Sequence, residues 1–329
     1  MRRENLRHLV CPSCKGELII DEIAKERDDA IESGSLKCSR CWKFYEIFSF
    51  IPRFVPSQSY ASGFGLEWTK HARTQYDAYS GVNVSETRFF QETRWSRDLT
   101  GEVILEVGSG SGRFTEQAAS TGAMVVSLDL SNAVEANYAS NGNKPNVLIV
   151  QGDIYRMPFR EDFFHKLFCI GVLQHTPNVE EAFKVLPRYL KSGGSLVVDI
   201  YRKGEKSVRR EILNTRHWTR LFTRHMPSET LYRWCVRYIE FLWPLVKYLD
   251  RSGRTKLIGL LLIPYYKQYG LSESMLKEWA FLDLFDILSA RYEFPQHLET
   301  VEKWFRDANM HNVEVHYGHN GIEGRGIKA

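Results

Sequence analysis

The sequence predicts an α/β fold: a doubly wound, mostly parallel sheet with an antiparallel last strand, preceded by a small cysteine-rich ribbon and interrupted by a helical insertion. Three observations predict it. An apolar β-forming run, Val103–Val107, carries Glu106 and leads through Gly108, Ser109, Gly110, Ser111 and Gly112 into a helix, the pattern of a buried strand, a tight turn and a helix start. From residue 99 to residue 201, short apolar strands alternate with helix patterns, as parallel strands with helical crossovers require. Two C-x-x-C pairs, Cys11/Cys14 and Cys38/Cys41, stand ahead of all of this.

Those pairs come first in the chain. Separated by 23 residues, they have the spacing that sets four thiolates around one zinc ion, and Pro12, Ser13 and Ser39 supply the turns. Two disulfides are the competing reading. The segment has few aliphatic residues before Phe44, so metal binding is expected to supply much of its stability, on the order of 10 kcal/mol. Residues 43–54 then read as a strand closed by Pro52 and Pro56, and residues 56–59 as a linker. A lead-in rich in aromatic residues follows, with Phe64, Trp68, His71 and Gln75 as its notable side chains.

In the strand-turn-helix unit the glycines let backbone pass close to a bound molecule, and the helix start offers free N–H donors. The spacing G-x-G-x-G with an acid two residues ahead differs from the G-x-G-x-x-G of nicotinamide sites. It resembles motif I of the class I S-adenosylmethionine-dependent methyltransferases. Three further strands end where that family needs them: residues 124–128 before Asp129-Leu130, residues 147–150 before Gly152-Asp153-Ile154, and residues 166–170 before Gly171-Val172. The resemblance implies a Rossmann-like domain that binds S-adenosylmethionine through Glu106, Gly108, Ser109, Gly110, Gly112, Asp129, Leu130, Gly152, Asp153, Ile154, Gly171 and Val172. Within it, the acid at 129 would take the ribose hydroxyls and the acid at 153 the adenine amino group. The cysteine-rich segment is similar to the zinc-ribbon proteins that partner tRNA and ribosomal methyltransferases, although Ser49-Phe50 stands where an aspartate-glycine turn is usual.

His175 follows the fourth strand in a loop that borders cofactor and acceptor in similar enzymes, and histidine titrates near neutral pH. It is the expected catalytic residue, as general base or orienting donor, with Tyr201 at the mouth of the fifth strand (residues 195–199) and His71 in reserve. A helix over 297–310 and strands over 313–317 and 322–327, joined at Asn320-Gly321, complete the sheet as an antiparallel hairpin. The expected organisation is a ribbon over 1–56, a lead-in over 57–98, the cofactor domain over 99–201 and 292–329, and an insertion over 202–291.

The insertion holds two helix patterns. One carries Leu231, Trp234, Cys235, Tyr238, Phe241 and Leu245 on an apolar stripe that reads as core, with Pro244 as a kink; the other has Met275, Trp279, Leu282 and Phe285 inward. Residues 201–260 carry 14 Lys or Arg against 5 Asp or Glu, in a chain whose net charge is only +4. That local surplus, which includes Arg202, Lys203, Arg209, Arg210, Arg216 and Arg220, favours a small or carrier-linked anionic acceptor, with RNA as the alternative and a membrane surface as a further partner. A non-catalytic binding protein would show damaged cofactor motifs, and these are intact. No helix carries a metal-binding carboxylate cluster of the catechol type, so transfer is expected to be metal-independent. The amino terminus is charged from Arg2, and the longest apolar run, residues 257–264, is far short of a bilayer span, so the expected location is the cytoplasm.

Overall fold

Val103–Val107 (β5), Met124–Asp129 (β6), Val147–Gln151 (β7), Phe164–Ile170 (β8) and Leu190–Ile200 (β9) form the parallel centre of a single sheet in the computed structural model, which describes residues 1–56, 61–204, 219–220, 222–223 and 225–329. Most of their side chains are buried, as expected of strands covered on both faces. Helices Arg113–Ser120 (α4), Ala133–Asn141 (α5) and Val179–Val185 (α6) make the crossovers. The hairpin Met310–Tyr317 (β10) and Ile322–Lys328 (β11) closes one side, with β11 antiparallel to both β9 and β10. Helix Leu298–Asp307 (α9) precedes it and buries Val301, Trp304 and Phe305. The fifth strand starts earlier than the sequence suggests: it runs through Gly193 and Gly194, opposite an irregularity in its pairing between Phe164 and Lys166.

The ribbon is built from Leu18–Arg27 (β1), Ala30–Cys38 (β2), Phe44–Phe48 (β3) and Ile51–Arg53 (β4), each antiparallel to the next. Ser49 and Phe50 both take left-handed backbone angles (φ 51° and 68°), so the β3–β4 turn is a two-residue mirror-image turn made without glycine. Phe50 stacks flat on Tyr138 of α5 at 5.2 Å, which offsets the roughly 1 kcal/mol that each non-glycine residue costs in this region. These strands do not form a separate sheet. β4 pairs in parallel with β7 through Arg53 and Gln151, and the order across all eleven strands is β1-β2-β3-β4-β7-β6-β5-β8-β9-β11-β10. Leu9, Ile31, Leu36 and Ile47 share one core with Leu128, Met157 and Phe159. Packing therefore reinforces the ribbon more than its own composition implied.

The lead-in folds as Ser62–Lys70 (α1), Asp77–Ser80 (α2) and Val84–Thr93 (α3). In the insertion, Ser228–Arg251 (α7) and Glu273–Ser289 (α8) pack around Leu231, Cys235, Ile239, Trp243, Phe285 and Leu288. Here one expectation is corrected. α7 runs on through Pro244, and of the stripe expected to be core, Trp234, Phe241 and Leu245 are exposed while Ile239, Trp243 and Val246 take the interior. Of the basic residues named above, Arg209, Arg210 and Arg216 lie outside the described residues.

Candidate active site

The glycine turn stands where the crossovers change direction, between β5 and α4, at the carboxyl edge where open α/β sheets bind ligands. Each of its three glycines has positive φ. A Cβ on Gly108 would lie 2.3 Å from Val172 Cγ2, and one on Gly112 would lie 2.1 Å from Asn137 Oδ1, so both positions combine a left-handed backbone with a neighbour that leaves no room. Ser109 is buried, and its Oγ has no hydrogen-bond partner among the described residues. An orphaned hydroxyl on a turn of this kind fits a bound polar molecule.

Beneath the turn lies a polar network that the sequence did not single out. Ser127 Oγ donates to Glu106 Oε2 at 2.8 Å, and Thr115 Oγ1 donates to the same oxygen. Asn137 Nδ2 donates to both hydroxyls, Asn141 Nδ2 donates to Asn137 Oδ1 and Gly112 O, and Tyr76 Oη donates to Ser111 O at 2.7 Å. Glu106 thus braces the turn from inside the protein. The available signal was Asn137 and Asn141, two amides four residues apart in a helix that should present an apolar face to the sheet.

Burial pushes the Glu106 carboxyl up to about 7, against the two hydroxyls that favour its charged form. The folded chain therefore keeps a proton, between the ordinary carboxylate range and pH 7, that the unfolded chain has lost. The corresponding stability is complete below pH 4.5 and is lost as pH rises towards 7. Glu106→Gln has no such proton to lose. Relative to wild type it is expected to gain about 1–3 kcal/mol between pH 5 and pH 8, measured by urea unfolding at both values. Parallel stability profiles for the two proteins would contradict this reading of Glu106.

At the end of β6, Asp129 Oδ2 accepts from the Gly110 amide at 2.9 Å, and Oδ1 accepts from Ser131 N and Ser131 Oγ. Leu130 is half-buried beside it. Asp153 caps the next turn by accepting from Tyr155 N at 3.0 Å, Gly152 passes against Leu128, and the Ile154 side chain is buried in the main core. Gly171 has φ 73° and leads to Val172, which packs on Gly108. The residues expected around a cofactor are therefore gathered on the turn or on the strand ends beside it, with Glu106 and the Ile154 side chain set back in the interior.

α1 packs on this edge. The Trp68 indole stands 3.0 Å from the position of a Cβ on Gly110, and Gly65 lies against the Asn132 backbone. Phe64 meets the His175 ring edge-on at 5.1 Å, and His175 meets Tyr201 in the same way at 5.4 Å. His175 Nδ1 lies 3.0 Å from the Tyr292 carbonyl, which can only accept, so Nδ1 carries the proton and Nε2 is left as an acceptor. Burial lowers the ring to about 4, keeping it neutral. His71 is engaged elsewhere, between Thr74 and Tyr232.

Carboxylates also gather here. Burial, then Asp286 and Asp283, hold Glu67 well above the usual carboxylate range, and burial raises Asp286 to about 6 while Arg220 and the Tyr201 hydroxyl draw it back. Glu67 Oε2, Asp286 Oδ1 and both polar atoms of the Gln174 side chain have no hydrogen-bond partner among the described residues. Asp283 accepts from Tyr266 Oη. The sequence signal was two acids set three apart in the otherwise apolar run of α8. Of the described basic residues, Arg220 pairs with Glu293, and Arg202 covers the Tyr317 ring.

On the ribbon, the four sulfurs of Cys11, Cys14, Cys38 and Cys41 lie within 4.8 Å of one another, with Cys11–Cys41 and Cys14–Cys38 each at 3.5 Å. Tetrahedral zinc with bonds of about 2.3 Å needs sulfurs roughly 3.8 Å apart, whereas a disulfide needs about 2.05 Å. Lys15 N bonds to Cys11 O and Trp42 N to Cys38 O, closing two alike knuckles, and a Cβ on Gly16 would lie 2.7 Å from Arg40 Cβ and press on the Cys38 and Cys14 sulfurs. Burial would raise the Cys11 thiol, but Tyr45 Oη and the Cys14 and Ser13 amides bring it down to about 6. Cys38 is lowered too. Despite the Lys43 amide, burial and the neighbouring sulfurs push Cys41 up to about 12.

Comparison with known proteins finds similarity over the strands that carry the glycine turn. Residues 105–198 match the family described as "Methyltransferase domain". Phosphoethanolamine N-methyltransferase 2 of Caenorhabditis elegans is 28% identical over 153 residues, covering 42% of this chain and 35% of that protein. Sterol 24-C-methyltransferase of Pneumocystis carinii is 33% identical over 99 residues, covering 29% and 26%. The solved phosphoethanolamine N-methyltransferase 1 of Haemonchus contortus, in complex with phosphoethanolamine and S-adenosylhomocysteine, aligns with a TM-score of 0.36 at 18% identity, over 47% of this chain and 36% of that one. The chain spans about a third of the length of these relatives. The matched residues, 105–198, fall on the parallel half of the sheet, from β5 to β9.

Proposed function

We propose that this protein transfers a methyl group from S-adenosylmethionine to a small or carrier-linked acceptor, by metal-independent in-line displacement at the edge where α1 and α8 meet the glycine turn. Bound cofactor would supply the methyl as an electrophile on a positively charged sulfur. The protein's part is to hold an acceptor atom in line and to keep water out, which is worth several kcal/mol. Asp129, the glycine turn and Asp153 would hold the cofactor. Phe64, Trp68, His175 and Tyr201 would frame the acceptor.

The observation that carries this reading is the convergence of α1, the His175 loop, Tyr201 and α8 beside the turn, with polar groups left unpaired among them. Of the three carboxyls in that region Glu67 is held protonated, while Asp286, raised to about 6, is ionised at neutral pH and with Asp283 disfavours a negative group at the reacting end of the acceptor. A neutral hydroxyl or an amine suits them better, and any phosphate would then belong to the part of the acceptor left outside. The RNA alternative draws on the basic residues of the insertion, of which Arg220 pairs with Glu293 and Arg202 covers the Tyr317 ring. Incubating the protein with methyl-labelled cofactor and fractionated cell extract tests the reading: label is expected in the small-molecule or lipid fraction, and label in RNA would favour the alternative.

With a neutral ring of low basicity, His175 would orient the acceptor through Nε2. His175→Asn is expected to lower kcat roughly tenfold and to leave cofactor affinity within about twofold, read from initial rates and calorimetry. A loss confined to thermal stability would make the ring a brace for the loop.

A further inference from the structure

The chemistry above leaves unexplained why the longest helix turns aromatic residues outward. One stripe of α7, Leu231, Cys235, Ile239, Val246 and Leu249, faces the insertion's interior. On an adjoining stripe Trp234 is 44% exposed, Phe241 83%, Leu245 42% and Tyr248 60%. Trp234, Phe241 and Tyr248 recur every seven residues, and Trp234 stacks on Tyr238 at 5.1 Å, so the stripe is continuous along the helix. The chain then doubles back: Tyr238 Oη donates to Leu261 O, which sets the short helical segment Thr255–Leu261 beside α7 with Leu257 at 43% and Leu260 at 76% exposure.

Cations flank this surface on one side. At 100° per residue, Arg233, Arg237 and Arg251 fall along one edge of the exposed stripe, and Arg254 and Lys256 extend the positive charge to the segment that follows. All five are exposed, and among the described residues Arg233, Arg237, Arg254 and Lys256 form no ion pair. No helix among the described residues is long and apolar enough to cross a membrane.

We infer that the outer face of α7, with residues 255–261, docks on the surface of an anionic phospholipid bilayer. Aromatic and leucine side chains on one face and arginines along its margin are what a helix needs to lie in the interface, with rings at headgroup level and guanidinium groups on phosphates. A second copy of the chain fits less well, because antiparallel pairing of this face with itself would bring its arginine margins together. Nucleic acid would use the arginines but leave Phe241, Leu245 and Leu260 in water. The inference goes beyond the methyltransferase reading and does not depend on it, since docking is measured without turnover.

The test is co-sedimentation of the intact, metal-loaded protein with vesicles of phosphatidylcholine alone and of equimolar phosphatidylcholine and phosphatidylglycerol. Wild type is expected to bind the mixed vesicles, and to bind less as salt is raised. Phe241→Ser with Leu260→Ser should weaken binding tenfold or more, on the order of what burying two large apolar side chains contributes. Arg233→Glu with Arg237→Glu should remove the preference for the anionic vesicles, at about fivefold for each cation lost. Both pairs are at exposed positions, so unchanged melting temperatures are expected and separate lost docking from lost folding. Equal binding to both vesicle types, no binding at low salt, or serine variants that bind like wild type would overturn the proposal. So would light scattering that shows a wild-type dimer made monomeric by Phe241→Ser, which would assign the face to a second copy.

Discussion

Asp129→Ala is expected to weaken binding of S-adenosylmethionine and of S-adenosylhomocysteine about a hundredfold, with the fold intact. The side chain stands at the end of β6, fixes the Gly110 amide through one oxygen and is itself fixed by Ser131 through the other. Its loss would remove a charged acceptor for two ribose hydroxyls and would release the turn that approaches the cofactor. Hydrogen bonds to charged groups are worth about 1.5–3 kcal/mol each, so losing two costs on the order of 3 kcal/mol or more. Asp129→Asn keeps the shape without the charge and should fall between the two. Calorimetric titration that finds the alanine variant as tight as wild type would remove Asp129 from the site.

A metal held by the four cysteines is expected to contribute more to stability than any single side chain. Protein purified without added metal is expected to contain about one zinc per chain by elemental analysis, and a strong chelator, or Cys14→Ser with Cys38→Ser, should lower its melting temperature by about 10 °C or more. The size of the effect follows from where the knuckles sit. Lys15, next to Cys14, donates to the Met157 and Phe159 carbonyls and to Tyr189 Oη, while Val10 N bonds to Pro158 O, so a loosened knuckle exposes core shared with β6 and β8. A metal-free protein of full stability, or a mass showing two disulfides, would contradict the assignment.

What was legible in the sequence follows the range of the interactions involved. The strand-turn-helix at Val103–Val107 and the strand ends at Asp129 and Asp153 are local patterns, and the sheet order realises them as expected. The cysteine pairs were legible for the same reason, since two short knuckles carry their own geometry. The joining of the ribbon to the sheet was not, because it rests on the pairing of Arg53 with Gln151, residues 98 apart whose types say nothing about each other. The orientation of α7 failed more instructively. Two apolar stripes run along that helix, helical periodicity fits either one, and only packing against α8 decides that Ile239 turns inward and Phe241 outward. The acids of α8 and the Glu106 network likewise acquire meaning only once α1 and α5 are in place.

The glycine turn, Asp129 and Asp153 are proposed to form a working S-adenosylmethionine site in this protein. Calorimetric titration of S-adenosylmethionine into the intact wild-type chain tests it most directly. Saturable binding of one molecule per chain is predicted, with the heat greatly reduced in Asp129→Ala; a well-folded, zinc-loaded protein that takes up no S-adenosylmethionine, or takes it up equally with Asp129 removed, would contradict it.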